Sequence, residues 1–145
     1  MNKIYKAIGK KSNQLNGSFI KSVIVCAILI FNFSLTINAQ VTVTATAGIP
    51  SGTYTTLKAA FDAINAGDHH GSIVVSIDAN TNEGTTPATL NSDDADPASY
   101  TSVLIQPGAP NIIVSGNPAP GFAVIQLNGA DNVTINGDDP NSPGT

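Results

Sequence analysis

Arginine and tryptophan are absent from this chain, and cysteine and methionine occur once each. Cys26 and Met1 both precede residue 40, so a chain that loses its first 39 residues carries no thiol. That excludes disulfides and a cysteine nucleophile from the remainder. Lys3, Lys6, Lys10, Lys11 and Lys21 lie in the same front segment, which leaves Lys58 as the single cation against ten Asp and Glu, a formal charge of −9. Nucleic acids and anionic lipids are held by clustered Lys and Arg. Neither nucleic acid nor membrane is therefore an expected partner once the front segment is gone. Such acidity serves solubility, with divalent cations as the remaining charged ligands. The aromatics beyond residue 39 are only Tyr54, Phe61, Tyr100 and Phe122. They supply little for the aromatic platform on which sugars stack.

What is present begins with a secretory pattern. After the lysine-rich start, residues 23–31 form an apolar run, extended by Phe33 and Leu35 and broken by Asn32 and Ser34. Ile37-Asn38-Ala39 then resembles a signal-peptidase site, leaving Gln40 as the new first residue. The run is short against the ~20 apolar residues of a spanning helix. Cys26 follows Val25 inside this run, which does not suit lipid attachment. Residues 1–39 are accordingly read as a signal peptide, and the protein as exported.

Residues 40–47 alternate Val41, Val43 and Ala45 with Thr42, Thr44 and Thr46, the period of a half-buried strand. Residues 48–52 break it with turn chemistry. Leu57, Ala60, Phe61 and Ile64 then form one apolar stripe at helical spacing, with Thr55 or Thr56 as N-cap and Gly67 as a left-handed stop. Residues 72–77 read as a further strand, apolar on both faces in its middle. Residues 78–100 show little periodicity, with Leu90 as their only large aliphatic, and are expected to form a long loop.

The next stretch says the same thing twice. Val103-Leu104-Ile105-Gln106 aligns with Ala123-Val124-Ile125-Gln126 at an offset of 20, and residues 111–116 align with residues 132–137 at an offset of 21. A period near twenty with two short strands per copy predicts a stacked β-solenoid, in which each copy needs its neighbours to bury a core. Ile112 and Val114 would face one way, as would Val133 and Ile135, with Ile113 and Thr134 opposite. Asn111 and Asn132 would stack as a hydrogen-bonding ladder, and Gly116 and Gly137 would close their strands at positive φ. The helix would cover the open first coil. Residues 138–145 read as a turn with no closing element, so the sequence is expected to be the front of a longer protein.

The segment Gly52-Thr53-Tyr54-Thr55-Thr56-Leu57-Lys58-Ala59-Ala60-Phe61-Asp62-Ala63-Ile64-Asn65-Ala66-Gly67, together with residues 99–103 and 128–137, resembles large exported proteins of Bacteroidota-type bacteria. These resemble in turn the pectin-lyase-like superfamily. The resemblance implies a mainly β fold: the start of a right-handed parallel β-helix with an N-terminal amphipathic cap helix over residues 40–145. It also implies surface display and roles that are often adhesive.

The superfamily includes polysaccharide lyases and hydrolases. Lyase chemistry uses a cationic base, which this chain lacks apart from Lys58 on the helix. Hydrolysis needs two carboxylates at a set separation, and the adjacent pairs Asp93-Asp94 and Asp138-Asp139 both sit in turn-like sequence, where Asp is common for local reasons. No catalytic residue is assigned. Asp78, Asn80, Asn82 and Glu83 place oxygen ligands at a spacing that suits Ca²⁺, although the pattern departs from the helix-loop-helix calcium motif. His69 and His70 are read as surface residues. Asn132-Val133-Thr134 is a formal glycosylation sequon, discounted as part of a buried strand. The expected function is a non-catalytic structural or adhesive surface module, with extracellular carbohydrate or a host or cell-surface component as partner. The alternative is the non-catalytic front of a polysaccharide lyase or glycoside hydrolase whose active site lies downstream.

Overall fold

Strand β1 (Val41–Gly48) forms where the sequence alternates, and it buries Val41 and Val43 completely. It turns through Ile49 and Pro50 into β2 (Ser51–Tyr54), which pairs antiparallel with it from Val41↔Tyr54 to Thr44↔Ser51. The second half of the expected turn is thus a strand. The computed structural model describes residues 38–138. The signal-peptide reading of residues 1–39 falls, apart from its last two positions, outside the described residues.

Helix α1 (Leu57–Asn65) starts and stops where its chemistry predicts. The Thr56 hydroxyl accepts the N–H of Ala59 at 3.0 Å, and Gly67 adopts φ 76° beyond the last turn. The stripe Leu57, Ala60, Phe61 and Ile64 is fully buried. Burying each large member contributes on the order of 1.5–3 kcal/mol. The helix packs against β1, β2, β3 (His69–Ile77) and, most extensively, β5 (Ala88–Asn91).

Strand β3 occupies the centre of a five-stranded mixed sheet. Its neighbours are β1, antiparallel, and β6 (Tyr100–Pro107), parallel; β9 (Val133–Ile135) adds in parallel beyond β6, giving the order β2-β1-β3-β6-β9. Each parallel step requires a long crossover. The first crossover carries β4 (Thr81–Asn82) and β5, and the second carries β7 (Val114–Ser115) and β8 (Ile125–Asn128). The two crossovers pair with each other in parallel, β4 with β7 and β5 with β8. Ile73, Val75, Ile77, Val103 and Ile105 from the main sheet share one core with the helix stripe, Ala88, Leu90 and Tyr100.

Several expectations are corrected by this topology. The strands make a mixed five-stranded sheet with two small two-stranded sheets, not a parallel β-helix solenoid. The antiparallel β1–β2 hairpin builds one side of the main sheet, and α1 belongs to the core of a mixed fold; it is not the lid of a stack. The twenty-residue repeat is not structural. Val103 sits beside Val133, thirty residues on, whereas Ile125 pairs with Ala88 in another sheet. The first segment lies inside the eight-residue β6, which buries Val103 and Ile105, whereas β8 begins only at Ile125 and leaves it half-buried. Residues 78–100 are not an irregular loop, since they bury Thr81, Glu83, Ala88, Leu90 and Ala98.

The asparagine ladder is also relocated. Asn111 and Asn132 share a left-handed backbone, φ 57° and 54°, and so initiate their strands as turn residues. The stacked pair is Asn91 and Asn128, where Nδ2 of Asn128 donates to Oδ1 of Asn91 at 3.1 Å. Gly116 and Gly137 do not adopt positive φ. The expected alternation holds by burial in the first copy, where Ile113 is exposed while Ile112 and Val114 are half-buried; in the second, Val133 is half-buried but Ile135 is exposed along with Thr134.

Candidate functional site

The four residues suited to calcium each hold a separate part of the fold. Glu83 is 7% exposed and reaches the start of α1, where its carboxylate accepts the N–H of Leu57 at 3.1 Å and that of Lys58 at 2.7 Å. The first turn of a helix leaves these donors without intrahelical partners, and a carboxylate is the favoured group at the positive end of the helix dipole. Asp78 accepts the hydroxyls of Thr42 at 2.6 Å and Ser76 at 2.7 Å. Oδ1 of Asn80 accepts the N–H of Ile113 at 2.8 Å, tying one crossover to the other. Oδ1 of Asn82 accepts the N–H of Gly84, a local turn. Asn82 is exposed and Glu83 buried, so alternation turns them to opposite sides. Among the described residues, no three His, Cys, Asp or Glu side chains gather in a group that could hold a metal.

His69 differs from its expectation as a surface residue: it is fully buried. Its Nδ1 lies 2.7 Å from the carbonyl of Ile49, an acceptor only, so Nδ1 carries the proton. Nε2 lies 2.6 Å from the hydroxyl of Tyr54, which donates to it in this tautomer. The two rings meet edge-on, 5.9 Å between centroids. Burial, and then the charge of Asp68, raise the pKa of Tyr54. This pair fastens the β1–β2 turn to β3. The sequence signal was available, since His69 falls at the odd-numbered positions shared by Ile73, Val75 and Ile77, the core face of β3.

Tyr100 is 4% exposed and donates its hydroxyl to the carbonyl of Asn91 at 2.5 Å. Burial, and then the charges of Asp93 and Asp131, push its pKa up to about 12. The Asp pairs serve turns: the N–H of Asp94 bonds Ser92, and that of Asp138 bonds Asn136, while Asp139 lies outside the described residues. Lys58 pairs with Asp62 at 2.5 Å on the outer helix face, an exposed contact worth ~0.2–1 kcal/mol. The sequon does not lie in a buried strand; Asn132 and Thr134 are exposed.

One concavity stands apart from these structural bonds. A cleft of about 260 Å³ opens beside β9, lined by Ile77, Ile105, Ile112, Val114, Ile125 and Ile135 and also by Gln106, Asn111 and Asn136. No lining residue is titratable. Ile135 reaches it while 56% exposed. Such a surface offers apolar burial and strand edges, and no acid, base or nucleophile. Sequence patterning put Ile112 and Val114 on one face and Ile135 on the corresponding face; it assigned no face to Ile77, Ile105 or Ile125 and did not show that these residues surround an open space. No known protein family, characterised protein or solved structure matches this chain.

Proposed function

We propose that this chain is a non-catalytic structural or adhesive module, exported and displayed at the cell surface. The observation that carries this reading is the aliphatic cleft beside β9, whose lining holds no titratable side chain. Elsewhere among the described residues, both carboxylate oxygens of Glu83, both ring nitrogens of His69 and the hydroxyl of Tyr100 are engaged in the fold. Export is inferred from residues 1–39 and surface attachment from the resemblance of residues 52–67. Extracellular carbohydrate or a cell-surface component is the proposed partner class.

The test uses the full chain expressed in a bacterium with an outer membrane. The exported species should begin at Gln40. Beads coated with it should adhere to polysaccharide- or protein-coated surfaces without releasing reducing ends or unsaturated uronates from the polysaccharide. Retention in the cytoplasm would overturn the export assignment. Failure to adhere to any surface would overturn the adhesive one, and release of sugar products would overturn the non-catalytic one.

A further inference from the structure

We infer that Tyr54 and His69 form a redox-active pair, and that Tyr54 is the residue at which this chain is oxidised by one electron. The oxidant is an oxidised transition-metal centre supplied from outside the chain. Tyr54 gives it one electron while the phenolic proton passes to Nε2 of His69. Beyond residue 39 the chain has no Cys, Met or Trp, the other side chains that readily yield an electron, and its only phenols are Tyr54 and Tyr100. A phenol that loses an electron becomes a strong acid, so oxidation is easiest where a base stands ready for the proton. The two tyrosines differ in that respect. Tyr54 holds its hydroxyl 2.6 Å from a ring nitrogen of His69, and neutral imidazole is a proton acceptor. Tyr100 donates to the carbonyl of Asn91, which accepts a hydrogen bond but does not take up the proton.

The surroundings suit the transfer. Nδ1 of His69 is bonded to the carbonyl of Ile49 at 2.7 Å and carries the ring proton, which leaves Nε2 as the basic nitrogen. After the step the imidazolium has an acceptor for each N–H: the Ile49 carbonyl and the phenoxyl oxygen. A buried cation needs such partners, and His69 is fully buried. Asp68, its neighbour in the chain, adds a negative charge that reaches Tyr54. Burial, and then that charge, oppose a phenolate at Tyr54, but the coupled step forms none. One electron reduces the metal centre, one proton crosses the hydrogen bond, and a neutral phenoxyl radical remains beside the imidazolium. Gly52 leaves the room this contact needs, since a Cβ there would lie 2.7 Å from the Tyr54 hydroxyl and 3.0 Å from Nε2. Outer-sphere electron transfer needs no contact between oxidant and ring, so the selection of Tyr54 rests on its proton acceptor.

The probe oxidant is ruthenium(III) tris(bipyridine), generated by a laser flash in the presence of persulfate. It acts on the full chain carrying Tyr5→Phe and Cys26→Ser, so that Tyr54 and Tyr100 are the only phenols and no thiol competes. The phenoxyl radical is followed by its optical absorption. Tyr54→Phe should remove most of the fast-forming radical and Tyr100→Phe little of it. His69→Gln can keep both hydrogen bonds but cannot take the proton, and should slow radical formation by on the order of a hundredfold. Gly52→Ala keeps both side chains and should slow it by displacing the hydroxyl from Nε2. The rate in the parent chain should fall in deuterium oxide, because the proton moves with the electron. Circular dichroism checks that each variant folds; if His69→Gln does not, Gly52→Ala and the isotope effect still decide. Equal oxidation of Tyr54 and Tyr100, a Gly52→Ala rate equal to the parent's, or a rate unchanged in deuterium oxide would overturn the inference.

Discussion

Removing the Glu83 carboxylate tests a buried charged contact that ties the first crossover to the start of α1. Its two oxygens satisfy the N–H groups of Leu57 and Lys58, while Thr56 satisfies that of Ala59. The first three orphan donors of α1 are thus all bonded, two of them by a residue from the first crossover. Hydrogen bonds to a charged acceptor contribute about 1.5–3 kcal/mol each. Such contributions overlap, so Glu83→Ala is expected to cost about 3–5 kcal/mol. Glu83→Gln retains one carbonyl acceptor but turns an amide NH₂ toward the other N–H, and should cost about 2–3 kcal/mol. Thr56→Ala, which removes an ordinary N-cap, should cost about 1 kcal/mol. At ~4–8 °C per kcal/mol for a domain of this size, Glu83→Ala lowers Tm by roughly 12–40 °C. Urea unfolding followed by circular dichroism gives the comparison through the midpoint at constant slope. If Glu83→Ala fails to fold, Glu83→Gln still ranks the contact against Thr56→Ala. A Glu83→Gln protein as stable as the wild type, or less affected than Thr56→Ala, would refute the assignment of Glu83 to the helix terminus.

Gly67→Ala should destabilise by about 2 kcal/mol or more, because a side chain is disfavoured at φ 76° and the new Cβ would lie 2.6 Å from the carbonyl oxygen of Pro97; thermal melts check this. Thr81 is buried with Oγ1 unpartnered, so Thr81→Val, similar in shape and lacking the hydroxyl, should stabilise by about 1 kcal/mol in the same melts. The Tyr100 pKa is raised from 10.0 to about 12. Its stabilising contribution is therefore complete below pH 10 and lost as pH rises through 12, since the unfolded chain ionises first; Tyr100→Phe should flatten stability across that window, measured by urea unfolding at each pH. Because Glu83 is engaged at the helix, millimolar Ca²⁺ should leave Tm unchanged. A calcium-dependent rise in Tm that Glu83→Gln removes would show that this carboxylate binds the ion.

The elements legible in the sequence were those whose signal is local. β1 follows from alternating Val and Thr, and α1 follows from the Leu57–Ile64 stripe between Thr56 and Gly67. Residues 78–100 hid β4 and β5 because a strand of two to four residues is too short to express a period. Asp78, Asn80, Asn82 and Glu83 looked like one ligand set along the chain. Their partners, Thr42, Ile113 and the start of α1, come from three different segments.

The sequence alone determined composition, acidity, the absence of thiol chemistry beyond residue 39, and which residues turn inward in β1 and α1. Those properties depend on near neighbours and on the periods of 2 and 3.6 residues. Tertiary structure alone decided which strand lies beside which. A strand alternates in the same way whatever pairs with it, so Val103–Ile105 and the similar segment around Ile125 could not be told apart until the crossovers set them in different sheets. The same long-range placement joined Glu83 to a helix start 25 residues earlier, buried His69 against Tyr54, and left an aliphatic cleft open along β9.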